Sequence, residues 1–415
     1  LRAAIVFGPI EVRRNKVVRY VNDKYTDQFY RLGEKEHFVL SRMDGSRTLP
    51  EIAKLYAAEY GKQLGPAAWQ GLFKLLHTRH MLEADADLSQ LDALKEETQT
   101  KRGESSRWYM RRFRLVNPDR VLERLLDGGA RFLFSPGFIV PALLAILCIE
   151  ALVFLNFKAI SAETWTFGRA LAVWPVCVAL FWVSAVLHET AHGLTCKYFG
   201  GRVTDMGIIW RYLWFSPYCK LDHVVLFHKR AHRIYVFLAG TFVSLLFLIP
   251  FAVMWWTLPP TNIWHTISAR MLFIFNFSAL LNLMPFVQLD GYFVLTSVFG
   301  MSDLRKEAHV FFKKVLFNQS GWDEEYSRKE KCVYSVYGPL SLLMTIAIVL
   351  MMISVWFLLL SVKLGLGPLI AALILLTVFS ALTVMNLRRR WKHKQPRADA
   401  EPARQIEVTG ASLVV

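Results

Sequence analysis

The sequence predicts an α-helical polytopic membrane protein with about six transmembrane helices and a hairpin that re-enters the bilayer. A small α/β, winged-helix-like domain precedes the helices on the cytoplasmic side. Three observations predict this. Of 415 residues 54% are hydrophobic and the mean hydropathy is +0.31, above the roughly 45–50% of an average soluble domain. The apolar residues come in long runs rather than at amphipathic spacing. The basic residues alternate between the loops that join those runs.

Residues 1–100 read as the small domain, with 15 Lys/Arg against 14 Asp/Glu. Val17, Val18, Tyr20, Tyr25 and Phe29-Tyr30 suggest short strands. Thr48-Leu-Pro-Glu51 has the form of a capping box and opens a helix through Ile52, Ala53, Tyr56 and Ala57. Trp69, Leu72, Phe73 and Leu76 recur at spacings of three and four and mark a second helix. Residues 101–133 read as a basic juxtamembrane linker. The first ten residues of the sequence lack a basic segment, a long apolar core and a cleavage site, so no signal peptide is expected.

Six apolar runs follow, at about 134–157, 171–187, 234–258, 271–289, 338–362 and 364–386, each near the ~20 residues that cross a bilayer. Lys/Arg number 7 in 197–233, 7 in 301–336 and 7 in 387–404, against 2 in 158–169, 1 in 259–270 and Lys363 alone in the last loop. The positive-inside rule then puts both termini in the cytoplasm. The net charge of +16 follows from this topology, and the near-neutral first hundred residues exclude a nucleic-acid partner. The domains expected are 134–300, a four-span core; 301–336, a cytoplasmic amphipathic loop; 337–387, two further spans; and 388–415, a basic tail. Between the second and third spans, residues 203–222 are apolar but broken by Gly207, Pro217 and charges, which suits a re-entrant or interfacial hairpin. Five cysteines without CxxC spacing give neither a disulfide framework nor a zinc ribbon.

The second run closes on His188-Glu189-Thr190-Ala191-His192. Histidines four apart on a helix project from one face at chelating distance, and a glutamate beside the first can take a proton from water at the metal. Ionisable groups ending an apolar run are costly in a bilayer and mark function. A catalytic zinc needs a third protein ligand. The fourth run ends in Asn282-Leu-Met-Pro285-Phe-Val-Gln-Leu289-Asp290-Gly291, and both runs pass inward, so Asp290 and His188 reach similar depth. Pro285 breaks the helix and Gly291 lets the chain turn. A second pair, His228 and His232, lies in a loop among Lys229, Arg230 and Arg233, where a membrane-surface patch is the simpler reading.

These residues resemble the site-2 protease family of intramembrane zinc metalloproteases, whose HExxH and Asn-Pro…Leu-Asp-Gly motifs match His188–His192 and Asn282…Pro285…Leu289-Asp290-Gly291. The resemblance covers roughly 134–300. It implies Zn2+ on His188, His192 and Asp290, Glu189 as general base and Asn282 near the substrate. Many relatives carry Gly-Pro-x-x-Asn in the third span, where this chain has Gly240-Thr241-Phe-Val-Ser244. The N-terminal domain more weakly resembles the leader-peptide recognition module of pyrroloquinoline quinone biosynthesis, through Tyr30-Arg-Leu32, Met43-Asp44-Gly45-Ser-Arg-Thr48 and Leu76…Met81-Leu82. Together the halves look like bacterial peptide zinc metalloproteases of the inner membrane. The implied partners are the lipid bilayer, a peptide or transmembrane-protein substrate and a leader peptide, in maturation or export of a modified peptide. Two other readings stay open at this point: a membrane di-iron oxygenase built on the two HxxxH pairs, and a non-catalytic peptide-binding component of export or immunity.

Overall fold

The computed structural model describes residues 1–83, 87–104, 110–116, 118–164, 170–211, 214–317, 322–364 and 407–408. It divides into two compact units, Leu1–Ser302 with Ile406–Val415, and Asp303–Gln405.

The first unit opens with an antiparallel meander of β1 (Ile5–Arg13), β2 (Lys16–Asp23) and β3 (Gln28–Gly33), with Phe7 opposite Val21 and Val21 opposite Tyr30. Arg14 and Asn15 both take positive φ (49° and 54°), the conformation a two-residue hairpin needs to match strand twist. Tyr25, expected in a strand, sits instead in the β2–β3 turn, which the buried Asp23 carboxylate organises by accepting from Tyr25 N–H (3.0 Å), Thr26 Oγ1 (2.9 Å) and Arg2. Three helices follow: α1 (Glu34–Leu40), α2 (Leu49–Tyr60) and α3 (Pro66–Thr78). The capping box forms as the sequence implies, with Thr48 N–H donating to Glu51 at 2.8 Å. Leu76 of α3 closes the core over Val21, Tyr30, Leu32 and Leu40.

The stretch expected as a linker carries structure. After α4 (Leu88–Glu104) come β4 (Met110–Val116) and the amphipathic α5 (Pro118–Asp127), whose Leu122 and Leu126 are buried. β4 joins a second antiparallel sheet of order β4-β5-β6, with β5 (Met206–Arg211) and β6 (Trp214–Cys219) formed by the expected hairpin.

Among the described residues four helices are long and apolar enough to cross a membrane: Pro136–Leu155, Val173–Tyr198, Arg230–Thr257 and Arg328–Met351. The first is α6 (Pro136–Leu155), followed by the short α7 (Phe157–Thr164); the second belongs to α8 (Ala170–Tyr198). The third joins α9 (Arg230–Leu246) to α10 (Ile249–Thr257). It is the most enclosed of the four, with 44% of its most apolar stretch buried against 22–28% for the others.

The fourth expected run, 271–289, is not one helix. α11 (Ile263–Arg270) passes through a π turn at Met271–Phe275 into α12 (Asn276–Leu281), and the helix stops there. Pro285 cannot donate to the helical ladder, and the chain folds back until Gly291 N–H bonds the Asn282 carbonyl at 2.7 Å. Asp290 thus begins a new helix, α13 (Asp290–Phe299), rather than ending the old one.

The N-terminal sheet is fixed to this unit. Glu11 of β1 accepts from Arg233 of α9 at 2.6 Å, both side chains buried. Asp27 meets His223 at 3.0 Å, and Val12 N–H bonds the Gly300 carbonyl at 3.2 Å.

In the second unit α14 (Leu304–Leu316), a helix within the stretch expected as an amphipathic loop, buries Leu304, Ala308 and Phe311; α15 (Trp322–Glu325) precedes α16 (Arg328–Leu364). His309 meets Ser341 at 2.7 Å and Arg305 donates to Thr345 at 3.0 Å, so α14 lies along α16. The fifth expected run lies within α16. The sixth, 364–386, falls outside the described residues apart from Leu364. The two-residue β7 (Glu407–Val408) pairs with β3.

Candidate metal centre

His188 and His192 lie on consecutive turns of α8, and the refolded segment after α12 brings Asp290 to them. His188 Nε2 is 3.1 Å from His192 Nε2 and 3.1 Å from Asp290 Oδ2; His192 Nε2 is 3.4 Å from that same oxygen. All three residues are buried. Donors at about 2.0–2.1 Å from a tetrahedral ion stand roughly 3.3 Å apart, so the triangle has the size of one face of such a shell. This buried group could hold a metal ion, and among the described residues it is the one such group of three or more.

The hydrogen bonds behind the ligands argue for a cation. His192 Nδ1 is 2.7 Å from the Val236 carbonyl, which can only accept, so Nδ1 carries a proton; when the ring is neutral, Nε2 then turns a lone pair toward Asp290. His188 Nδ1 is 2.9 Å from Ser244 Oγ, a partner that accepts an Nδ1 proton equally well. Asp290 Oδ2 then faces lone pairs, and both of its oxygens are buried without a donor. Buried acceptors turned on one another are unfavourable unless something positive lies between them.

Space has been left for it. A Cβ on Gly240 of α9 would stand 2.4 Å from His192 Nε2 and 2.5 Å from His188 Nε2, so any other residue there would press on both ligand atoms. A Cβ on Gly291 would reach within 2.0 Å of the Leu283 carbonyl oxygen; glycine permits the tight return that delivers Asp290.

Glu189, beside the first ligand, is buried, with Oε2 unpartnered; the Cys219 N–H of β6 faces this carboxylate. Glu189 opens on a cavity of about 370 Å³, within the range of ligand pockets. Ser184, Ser216, Ser244, Ser278, Asn282 and Gln288 line it, together with the rings of Phe181 and Phe275, 5.2 Å apart. Asn282, expected near the substrate, is thus one of the polar groups on this cavity.

The other histidines go elsewhere. His232 stacks on Phe199 at 4.1 Å, and neither it nor His228 belongs to a metal-sized group among the described residues. Glu150, the isolated acid of the first span, accepts from Asn276 at 3.2 Å. Of the supporting strip of α9, Val236, Gly240 and Ser244, sequence reasoning named Gly240 and Ser244 only by their place in a motif and missed Val236. Its signal was present in the i, i+4, i+8 spacing, which puts all three on one face, but a backbone carbonyl leaves no trace in residue identity. Comparison with protein-family models, curated proteins and solved structures finds no match.

Proposed function

We propose that the protein is an intramembrane zinc metallopeptidase that hydrolyses a peptide bond in a membrane-embedded or membrane-proximal peptide. The observation that carries this is the convergence of His188, His192 and Asp290 with the unpartnered Glu189 carboxylate on one polar cavity. The ligands are borderline nitrogens and one carboxylate oxygen, a set zinc favours in catalytic sites with an open position. Zinc held there would supply a Lewis acid that polarises a carbonyl and acidifies water. Glu189 takes the proton of the attacking water and returns it to the leaving amide nitrogen. Asn282 and the serines offer hydrogen bonds to a peptide that has lost its helical ones.

β6 supports an extended substrate. It pairs with β5 on one side only among the described residues. Ladder alternation sends the backbone groups of Phe215, Pro217 and Cys219 away from β5, in keeping with the Cys219 N–H reaching Glu189. An added strand would bond Phe215 and the Pro217 carbonyl, beside the cavity. In this reading the N-terminal domain, which carries the Glu11–Arg233 pair, is the candidate site for a leader peptide and lies on the cytoplasmic side of a bacterial inner membrane, the orientation the positive-inside rule favours.

The test is elemental analysis of the full chain purified in mild detergent. The expected result is one zinc per chain, retained in Glu189→Gln, which is inactive on peptide, and lost in Asp290→Ala. Two irons per chain would replace this reading by an oxygenase. Absence of metal with all ligands intact, or full cellular function of Glu189→Gln, would leave a peptide-handling scaffold.

A further inference from the structure

We infer that Ser244 is a positioning residue for the metal centre: its hydroxyl accepts the Nδ1 proton of His188 and so aims Nε2 at the ion. The inference rests on the metal reading of the site and adds to it how the third span orients the ligands. Along α9, Val236, Gly240 and Ser244 succeed one another at intervals of four and form one strip against α8. Each meets the centre differently. The Val236 carbonyl holds His192 at 2.7 Å, Gly240 leaves the ligand atoms room, and Ser244 holds His188 at 2.9 Å.

The two holding contacts are not equivalent. A carbonyl can only accept, so it fixes one tautomer of His192. A hydroxyl both donates and accepts; when Oγ takes the His188 proton, its own hydrogen remains to be given elsewhere. Ser244 also lines the cavity, so that hydrogen has a direction available other than the imidazole. With alanine at 244 the Nδ1–H of His188, on a buried ring, would lose its hydroxyl partner and keep only the Gly240 backbone near it, so the ring would be held less firmly. Removal of such a supporting hydrogen bond weakens metal affinity by about 10–100-fold.

The experiment uses the full chain in detergent. Zinc dissociation constants are measured by competition with a chromophoric chelator for the parent, Ser244→Ala and Ser244→Thr, alongside visible spectra of the Co2+-loaded forms. The expected result is a dissociation constant about 10–100-fold higher for Ser244→Ala, with displaced Co2+ ligand-field bands. Ser244→Thr, which keeps the hydroxyl, stays close to the parent in both. An unchanged constant and spectrum in Ser244→Ala would overturn the role of Ser244 and leave the centre standing. A threonine variant as weak as alanine would assign the loss to shape and overturn it too. A parent chain that takes up no metal would remove the centre itself, and the inference with it.

Discussion

Replacement of Gly240 by alanine separates the proposed metal centre from the stability of the helix that supports it. The glycine lies inside α9 with no positive φ, so its backbone asks for nothing that alanine lacks. On helix propensity alone the change favours the helix by about 1 kcal/mol. Against this, the new methyl would stand 2.4 Å and 2.5 Å from the Nε2 atoms of His192 and His188. Ordinary carbon–nitrogen contact begins near 3.4 Å, so each imidazole must retreat by about 1 Å. Side-chain ends can do that at little cost in the metal-free protein. A metal site cannot absorb it, because ligand distances are held to about 0.2 Å. The expected outcome is a protein whose metal-free helical content and melting temperature match or exceed the parent, and whose zinc affinity falls by more than the roughly 100-fold upper end for a lost second contact. Chelator competition, circular dichroism and a metal-free melt measure the three quantities on one preparation. Parental zinc affinity in Gly240→Ala would refute the geometry, since it would mean the Nε2 atoms do not converge beside this glycine.

Gly291→Ala makes the complementary case: its methyl would lie 2.0 Å from a backbone oxygen, which cannot rotate away. Both metal affinity and the metal-free melting temperature are expected to fall, and a melt at parental temperature would contradict the tight 282–291 return. Glu11→Gln keeps an oxygen that can accept from Arg233 but removes the only charge paired with this buried guanidinium among the described residues, which otherwise bonds the Val225 and Phe227 carbonyls. The expected cost is near the lower end of the about 3–5 kcal/mol for a broken buried pair, read as faster proteolysis within residues 1–100; equal protection would count against firm docking of the N-terminal sheet. His37, beside Phe7, is held down to about 4 by burial and by the Arg19 and Arg42 cations. The unfolded chain binds this proton near 6.5 and the folded one only near 4. Stability from this residue is therefore complete above pH 6.5 and lost as the pH falls toward 4. An NMR titration of the His37 ring with a midpoint near 6.5 would contradict this.

The elements legible in sequence are those set by local pattern. Thr48 and Glu51 announce their helix because a capping box involves neighbours alone. Trp69, Leu72, Phe73 and Leu76 share a face for the same kind of reason. α6, α8 and the α9–α10 pair are visible because spanning helices satisfy their backbones internally, leaving the apolar run as signature. His188 and His192 are legible as a pair because four residues of helix fix their separation.

The fourth run shows where pattern misleads. Hydropathy counts 271–289 as one apolar stretch, whereas its chain leaves the helix after Leu281. The reason is spread over Pro285, the Asn282 carbonyl and the missing side chain of Gly291, which act only once they are folded against one another. β4 escaped notice similarly: a basic, arginine-rich heptamer becomes a strand because β5 offers it an edge 90 residues further on.

By itself the sequence determined the helical, membrane-type architecture, the two-histidine chelate and the candidate third ligand, because length, hydropathy and helical spacing are properties of contiguous residues. Only the tertiary structure decided that Asp290 closes the triangle, that Gly240 leaves it open and that Val236 and Ser244 orient its rings. Those contacts join residues 44 to more than 100 positions apart, and such distances are set by packing between helices.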